Sequence, residues 1–264
     1  MTYDRRPDAV DRPVLVLKFG GTSVGSARRV RVAARRIAAH ARHGRHVVAV
    51  VSAAGGATDA ILARAARLTG GLAPSSRELD RALATGEDRS AALLALALES
   101  LRVPARSLRG GEAGLRAEGE FGAGRITDVV AWRLFQLLEE GVVPIVAGFQ
   151  GVRADGETLT LGRGASDATA VALAAALGAE CHLVTDVAAV YDRDPHQDAS
   201  ARPYRRLDHA QLAALTAAGA QVVQAEAARL AERTATPLWV YGWNAPLSGR
   251  GGTRIVAATA EEAA

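Results

Sequence analysis

A chain of 264 residues with 49% hydrophobic and 23% charged residues can bury a large core, which excludes a disordered chain and suits one big α/β domain. Its 32 basic residues are nearly offset by 28 interspersed acidic ones, and only 4% of residues are aromatic, so neither a nucleic-acid partner nor base-stacking platforms are expected. The single cysteine, Cys181, excludes an intramolecular disulfide, and no Cys and His cluster has zinc-ligand spacing, so no protein metal site is expected.

Residues 1 to 12 are polar and aperiodic and read as a flexible leader, with order expected from Pro13. Neither this leader nor any later apolar run has the length of a signal peptide or a membrane span, so the expectation is a cytoplasmic chain with no membrane partner. Val14 to Phe19 is a buried-strand run ending in Gly20-Gly21-Thr22-Ser23, and Ala27 to His43 follows with helical spacing. Val47 to Val51, the turn Ser52 to Gly56 and a helix from Asp59 to Leu68 repeat that pattern. Helices are then expected over Ser76 to Ala84, Asp88 to Ser100 and Thr127 to Glu140, a third buried strand over Val142 to Ala147, and a hairpin with a loop over Gly151 to Gly164. Ser166 to Leu177 reads as a helix stopped by Gly178, and His182 to Thr185 as a strand. Helices over Leu212 to Ala217 and Val223 to Arg233 precede closing strands over Leu238 to Tyr241 and Thr253 to Val256. Strands alternating with helices predict a mostly parallel sheet covered on both faces, without a domain linker.

In such a sheet, ligands gather beyond the carboxyl ends of the strands, where glycine turns expose backbone N–H groups. Lys18 to Ser23 combines an ammonium, two glycines and two hydroxyls, an inventory that suits phosphates, although a plain tight turn would use the same glycines. It is not a Walker A loop, because the lysine precedes the glycines. Lys18 is the only lysine in the chain. In Gly162-Arg163-Gly164-Ala165-Ser166-Asp167, helix capping accounts for Ser166 and the helix dipole for Asp167, whereas an arginine between two glycines is free to grip a carboxylate. Thr85-Gly86-Glu87 sets a carboxylate before an expected helix, open to capping or to binding a substrate ammonium.

Lys18 to Val24, Ser52 through Thr58-Asp59, Ala84 to Glu87, Val146 to Gly151, Leu161 through Thr169 and Thr185-Asp186-Val187, taken in that order, resemble the signatures of the aspartokinase catalytic domain in the amino-acid kinase family. The resemblance runs from about Val14 to Val256 and implies a three-layer αβα sandwich around a mainly parallel sheet, with a catalytic domain over residues 13–258. It implies ATP-dependent phosphorylation of the side-chain carboxylate of L-aspartate, with Mg2+ carried on the phosphates, as in amino-acid and lysine biosynthesis. It also makes a homodimer possible. By position, Lys18, Gly20, Gly21 and Ser23 would hold the phosphates, Ser52, Thr58, Glu87, Arg163 and Ser166 the amino acid, and Thr185, Asp186 and Tyr191 the nucleotide. Lys18 and Asp167 would be the catalytic pair, the carboxylate organising the lysine.

Among the departures from the family pattern, which lie on the nucleotide side, Ala189 stands for a glycine, His196 for an arginine and Gln221 for a lysine. They predict weakened ATP binding. A kinase for another small carboxylate, and a catalytically weak sensor of an amino acid or nucleotide, are the alternative readings. Because the sequence stops soon after the closing strand, no C-terminal regulatory domain is expected.

Overall fold

The computed structural model describes residues 13–162, 164–195, 197–220, 222–246 and 251–258. The expected leader, Arg163, His196 and Gln221 lie outside the described residues. The first half holds strands β1 (Val14–Phe19) and β2 (His46–Val51), with helix α1 (Ala27–Arg42) between them and α2 (Ala57–Leu68) and α3 (Ser76–Glu99) after them. Strands β3 (Ala105–Leu108), β4 (Leu115–Glu118) and β5 (Arg125–Val129) lead to α4 (Trp132–Glu139) and to β6 (Val143–Ala147), β7 (Gln150–Val152) and β8 (Thr158–Thr160). The second half runs α5 (Ser166–Leu177), β9 (Glu180–Thr185), β10 (Arg206–Asp208), α6 (His209–Ala217), α7 (Ala225–Thr234), β11 (Leu238–Gly242) and β12 (Thr253–Val256).

The main sheet has the order β10-β12-β11-β9-β1-β2-β6-β3, and its neighbours are parallel except β11 and β12. A smaller sheet, β5-β4-β7-β8, flanks it. Both faces of the main sheet are buried, which explains why its strands are continuous Val and Leu runs and do not alternate with polar residues. Side chains alternate along each strand. Val16, Val48, Val50 and Val146 therefore pack with α4, α5 and α7, while Leu15, Leu17, Ala49 and Ile145 pack with α1 and α3. Helix α5 is apolar around its circumference because neighbours enclose it.

Several expected boundaries are corrected. The two helices over Ser76 to Ala84 and Asp88 to Ser100 are one helix, α3, running straight through Thr85-Gly86-Glu87. Glycine weakens a helix interior by about 1 kcal/mol relative to alanine, but at Gly86 an added Cβ would stand 2.9 Å from the Ala53 Cβ, so the close approach requires it. Residues Thr127 to Val129 belong to strand β5, not to a helix, because they pair with β4 across a bulge, and α4 starts at Trp132. Ser166 is not an N-cap: it is the first residue of α5, Ala165 holds the cap position, and no side chain caps the turn. Strands β3, β4, β5 and β10 are short and charged, and the hydrophobic pattern does not reveal them.

Candidate active site

Four neighbouring parallel strands, β9, β1, β2 and β6, end at the same edge of the sheet, and Lys18, Gly20, Gly21, Ser23, Ser52 and Thr185 lie at or just beyond their carboxyl ends. Lys18 shares the strand parity of Val14 and Val16, so its side chain emerges on the α5 face. Asp167 lies there in the first turn of α5, and Lys18 Nζ stands 2.6 Å from its Oδ1, with each side chain about one-eighth exposed. Its other oxygen, Oδ2, accepts the Gln224 backbone N–H at 3.2 Å.

The turn after β1 is sewn to the turn after β2. Gly21 O accepts the Gly55 N–H at 3.2 Å, and a Cβ at Gly21 would stand 2.6 Å from Ala53 O, so no side chain fits there. At Gly20 an added Cβ would lie 3.5 Å from Lys18 Nζ, in ordinary contact with it. Ser23 is buried and donates its hydroxyl to Val184 O at 3.4 Å, tying the turn to β9. Ser52 donates its N–H to Phe19 O at 3.1 Å and is half-buried, as is Thr58 in the first turn of α2.

Glu87 points from the middle of α3 to the same turn. Its Oε1 accepts the Ala53 N–H at 2.8 Å, while its buried Oε2 has no hydrogen-bond partner among the described residues. Burial pushes the Glu87 carboxyl up to about 7, against the Ala53 hydrogen bond that favours the ionised form, and the neighbouring Asp88 charge adds to the rise. Gln150, buried beside β6, donates to Ala84 O at 3.2 Å and Asp88 Oδ1 at 3.0 Å, fixing this turn of α3. Phe149 has a left-handed φ of 67°, and its N–H is held by Thr169 Oγ1 at 3.2 Å. Its ring joins Leu83 and Ala165 in a small cluster on which Ile61 and Leu62 of α2 pack.

Gly162 and Gly164, the glycines on either side of Arg163, both have φ near +80°. Ser166 is buried, and an added Cβ at Gly148 would lie 2.9 Å from its Oγ. Thr185 ends β9 and donates its hydroxyl to Asp186 Oδ1 at 3.1 Å, while its carbonyl accepts the Trp243 N–H at 2.8 Å. Tyr191 bridges to Pro203 farther along, and Ala189 is buried beside it. Two contributors were invisible to sequence reasoning, the Ala53 and Gln224 N–H groups, because a backbone donor leaves no residue-type signal. Among the described residues no group of three or more His, Cys, Asp or Glu could hold a metal ion, and none of their helices is long and apolar enough to cross a membrane. A groove of about 880 Å³ between β5, α5 and α7 meets the site only at Leu161, Ala165 and Gln224.

A parallel sheet under helices, with a lysine–carboxylate pair and glycine turns gathered at the strand ends, defines an α/β sandwich with its polar turns along one sheet edge. The chain belongs to the amino acid kinase family, whose model matches residues 13–242. It is 44% identical over 228 residues to aspartokinase 2 of Bacillus subtilis, covering 86% of this chain and 55% of that protein. It is 43% identical over 245 residues to the aspartokinase of Mycobacterium tuberculosis, covering 92% and 57%. The fold superposes with a TM-score of 0.84 on E. coli aspartokinase III in complex with aspartate and ADP, at 26% identity over 93% of this chain and 65% of that one. The chain thus spans little more than half the length of these curated relatives.

Proposed function

We propose that the chain is an ATP-dependent kinase module that phosphorylates the side-chain carboxylate of L-aspartate, giving 4-phospho-L-aspartate. The observation that carries the reading is Glu87, a buried carboxylate with one oxygen held by Ala53 and the other without a partner among the described residues, joined through Ala53 and Gly21 to the turn beside Lys18. An acceptor ammonium supplies that missing partner and offsets the desolvation of the carboxylate. The aspartokinase relatives, one of them in complex with aspartate and ADP, support aspartate as the ammonium-bearing acceptor and ATP as the donor.

In this reading Arg163, Ser52, Thr58 and Ser166 take the carboxylates of the acceptor. Thr185, Asp186 and Tyr191 line the nucleotide site, and the Gly20 to Ser23 turn receives the phosphates. A carboxylate oxygen bonds to the terminal phosphorus as the bond to ADP breaks, which brings anions together. Catalysis is then positioning and electrostatic stabilisation, with no protein nucleophile. Lys18 supplies a compact positive charge at the transferring group, and Asp167 aims it. Mg2+, as the phosphate-bound partner of the nucleotide, would supply neutralisation of the phosphate charge.

Trapping the product with hydroxylamine tests the reading: hydroxamate that forms only with both ATP and aspartate is expected. Hydroxamate from a different small carboxylate but not from aspartate would overturn the acceptor. Calorimetric binding of both ligands with no hydroxamate would overturn the enzyme.

A further inference from the structure

One residue at the start of α7 touches both the lysine–carboxylate pair and the loop around Arg163. Gln224 is the N-cap of α7, with φ −68° and ψ 136°, and its side chain accepts the Ala227 N–H at 3.1 Å. Its backbone N–H donates to Asp167 Oδ2 at 3.2 Å, while Asp167 Oδ1 holds Lys18 Nζ at 2.6 Å. Its side chain also lies against Gly164, where an added Cβ would stand 2.9 Å from Gln224 Cγ.

A carboxylate held at one oxygen can swing, because the terminal torsion of aspartate is broad. A second donor on the other oxygen fixes the carboxylate plane and, with it, the position of the ammonium it grips. We propose that Gln224 is a positioning residue: through its N–H it locks Asp167, and so sets where the Lys18 ammonium stands. The inference rests on the reading of Lys18 as the cation that meets the transferring phosphoryl group. Its consequence is that the start of α7, which follows directly on the nucleotide-side segment containing Gln221, is mechanically coupled to the acceptor side. A shift of the helix start moves Asp167 and the lysine together.

The test exploits the absence of any other lysine. An amine-reactive probe can label only Lys18 and the chain's α-amino group, and peptide mass analysis separates the two. The φ of −68° lies within the range of proline, so Gln224→Pro removes the donor at a compatible backbone angle and sets its ring Cδ against Asp167 Oδ2, which displaces the carboxylate. Gln224→Ala keeps the N–H, loses only the side-chain cap and serves as the reference. Lys18 is expected to label about fivefold to tenfold faster in the proline variant than in the alanine variant. Turnover should be lower by about tenfold, with both Michaelis constants within about twofold, as for a small misplacement of a catalytic group. Equal labelling in the two variants overturns the proposal. If aspartate is not the acceptor, turnover gives no signal while the labelling still decides, so the two failures are distinguishable. Should the proline variant not fold, amide exchange at Gln224 in Asp167→Ala replaces it: loss of the acceptor should speed exchange by about tenfold, and unchanged exchange overturns the proposal.

Discussion

Replacing Glu87 by glutamine isolates the charge that makes this carboxylate unusual. The amide oxygen can still accept the Ala53 N–H, so the substitution removes ionisation and little else. In the free protein burial pushes the carboxyl from its ordinary value near 4.5 up to about 7. At about 1.4 kcal/mol per pH unit, this amounts to roughly 3 kcal/mol of folding free energy. The sign follows from proton binding. Between 4.5 and about 7 the folded state holds the proton and the unfolded state does not, so the Glu87 contribution to stability falls as pH rises through that window and is constant above it. Glu87→Gln should therefore be more stable than the native chain at pH 8, by up to roughly 3 kcal/mol, and about equally stable at pH 4. His40 opposes this trend in the native chain. Its pKa is lowered to about 4 by burial and by the nearby His182, so its contribution to stability rises with pH between about 4 and 6.5. The two slopes partly cancel, and urea melts from pH 4 to 8 should be flatter for the native chain than for Glu87→Gln. Binding must respond in the opposite direction. An ammonium needs the ionised form, so native aspartate affinity should improve about tenfold per pH unit up to about 7 and then level off. The glutamine variant should lose roughly 2 to 3 kcal/mol of charge-assisted pairing, a rise in the Michaelis constant for aspartate on the order of 10², with that for ATP unchanged. A variant with native aspartate affinity and native stability at pH 8 would refute the reasoning.

Lys18→Ala should lower turnover by roughly 10² to 10³ with the fold intact, and Lys18→Arg should recover little, because the planar head cannot occupy the same point beside Asp167. Substantial hydroxamate from the arginine variant would contradict this. Arg163→Ala should raise the Michaelis constant for aspartate by a factor on the order of 10², far more than that for ATP, and an unchanged aspartate constant would remove it from the site. Gln221→Lys should tighten ATP binding by roughly tenfold to a hundredfold in calorimetry, since a charged hydrogen bond replaces a neutral one. Unaltered ATP affinity would show that this position does not weaken the nucleotide site.

The central strands were legible from the sequence because a strand buried on both faces must be apolar along its whole length, and Val14 to Phe19, Val47 to Val51 and Val142 to Ala147 have no other use for such runs. Lys18 stood out for the same reason, as a lone ammonium at the end of one of those runs beside two glycines. Helix α5 and its stop were equally local: an alanine-rich segment ends at Gly178 in the left-handed conformation that glycine permits. Tertiary structure decided the rest. Gly86 reads as a helix break until Ala53 is found 2.9 Å from where its Cβ would be, and that contact keeps α3 whole and delivers Glu87 to the turn after β2. The Thr127 to Val129 segment becomes a strand only because β4 lies beside it. Ser166 carries the residue type of a cap but lies inside the helix against Gly148. The Lys18–Asp167 contact and the Gln224 N–H that completes it join three distant segments. Local pattern reports what a residue does to its own few neighbours along the chain; which backbone donor meets which carboxylate depends on how the helices pack across the sheet, and that is settled only when the whole core closes.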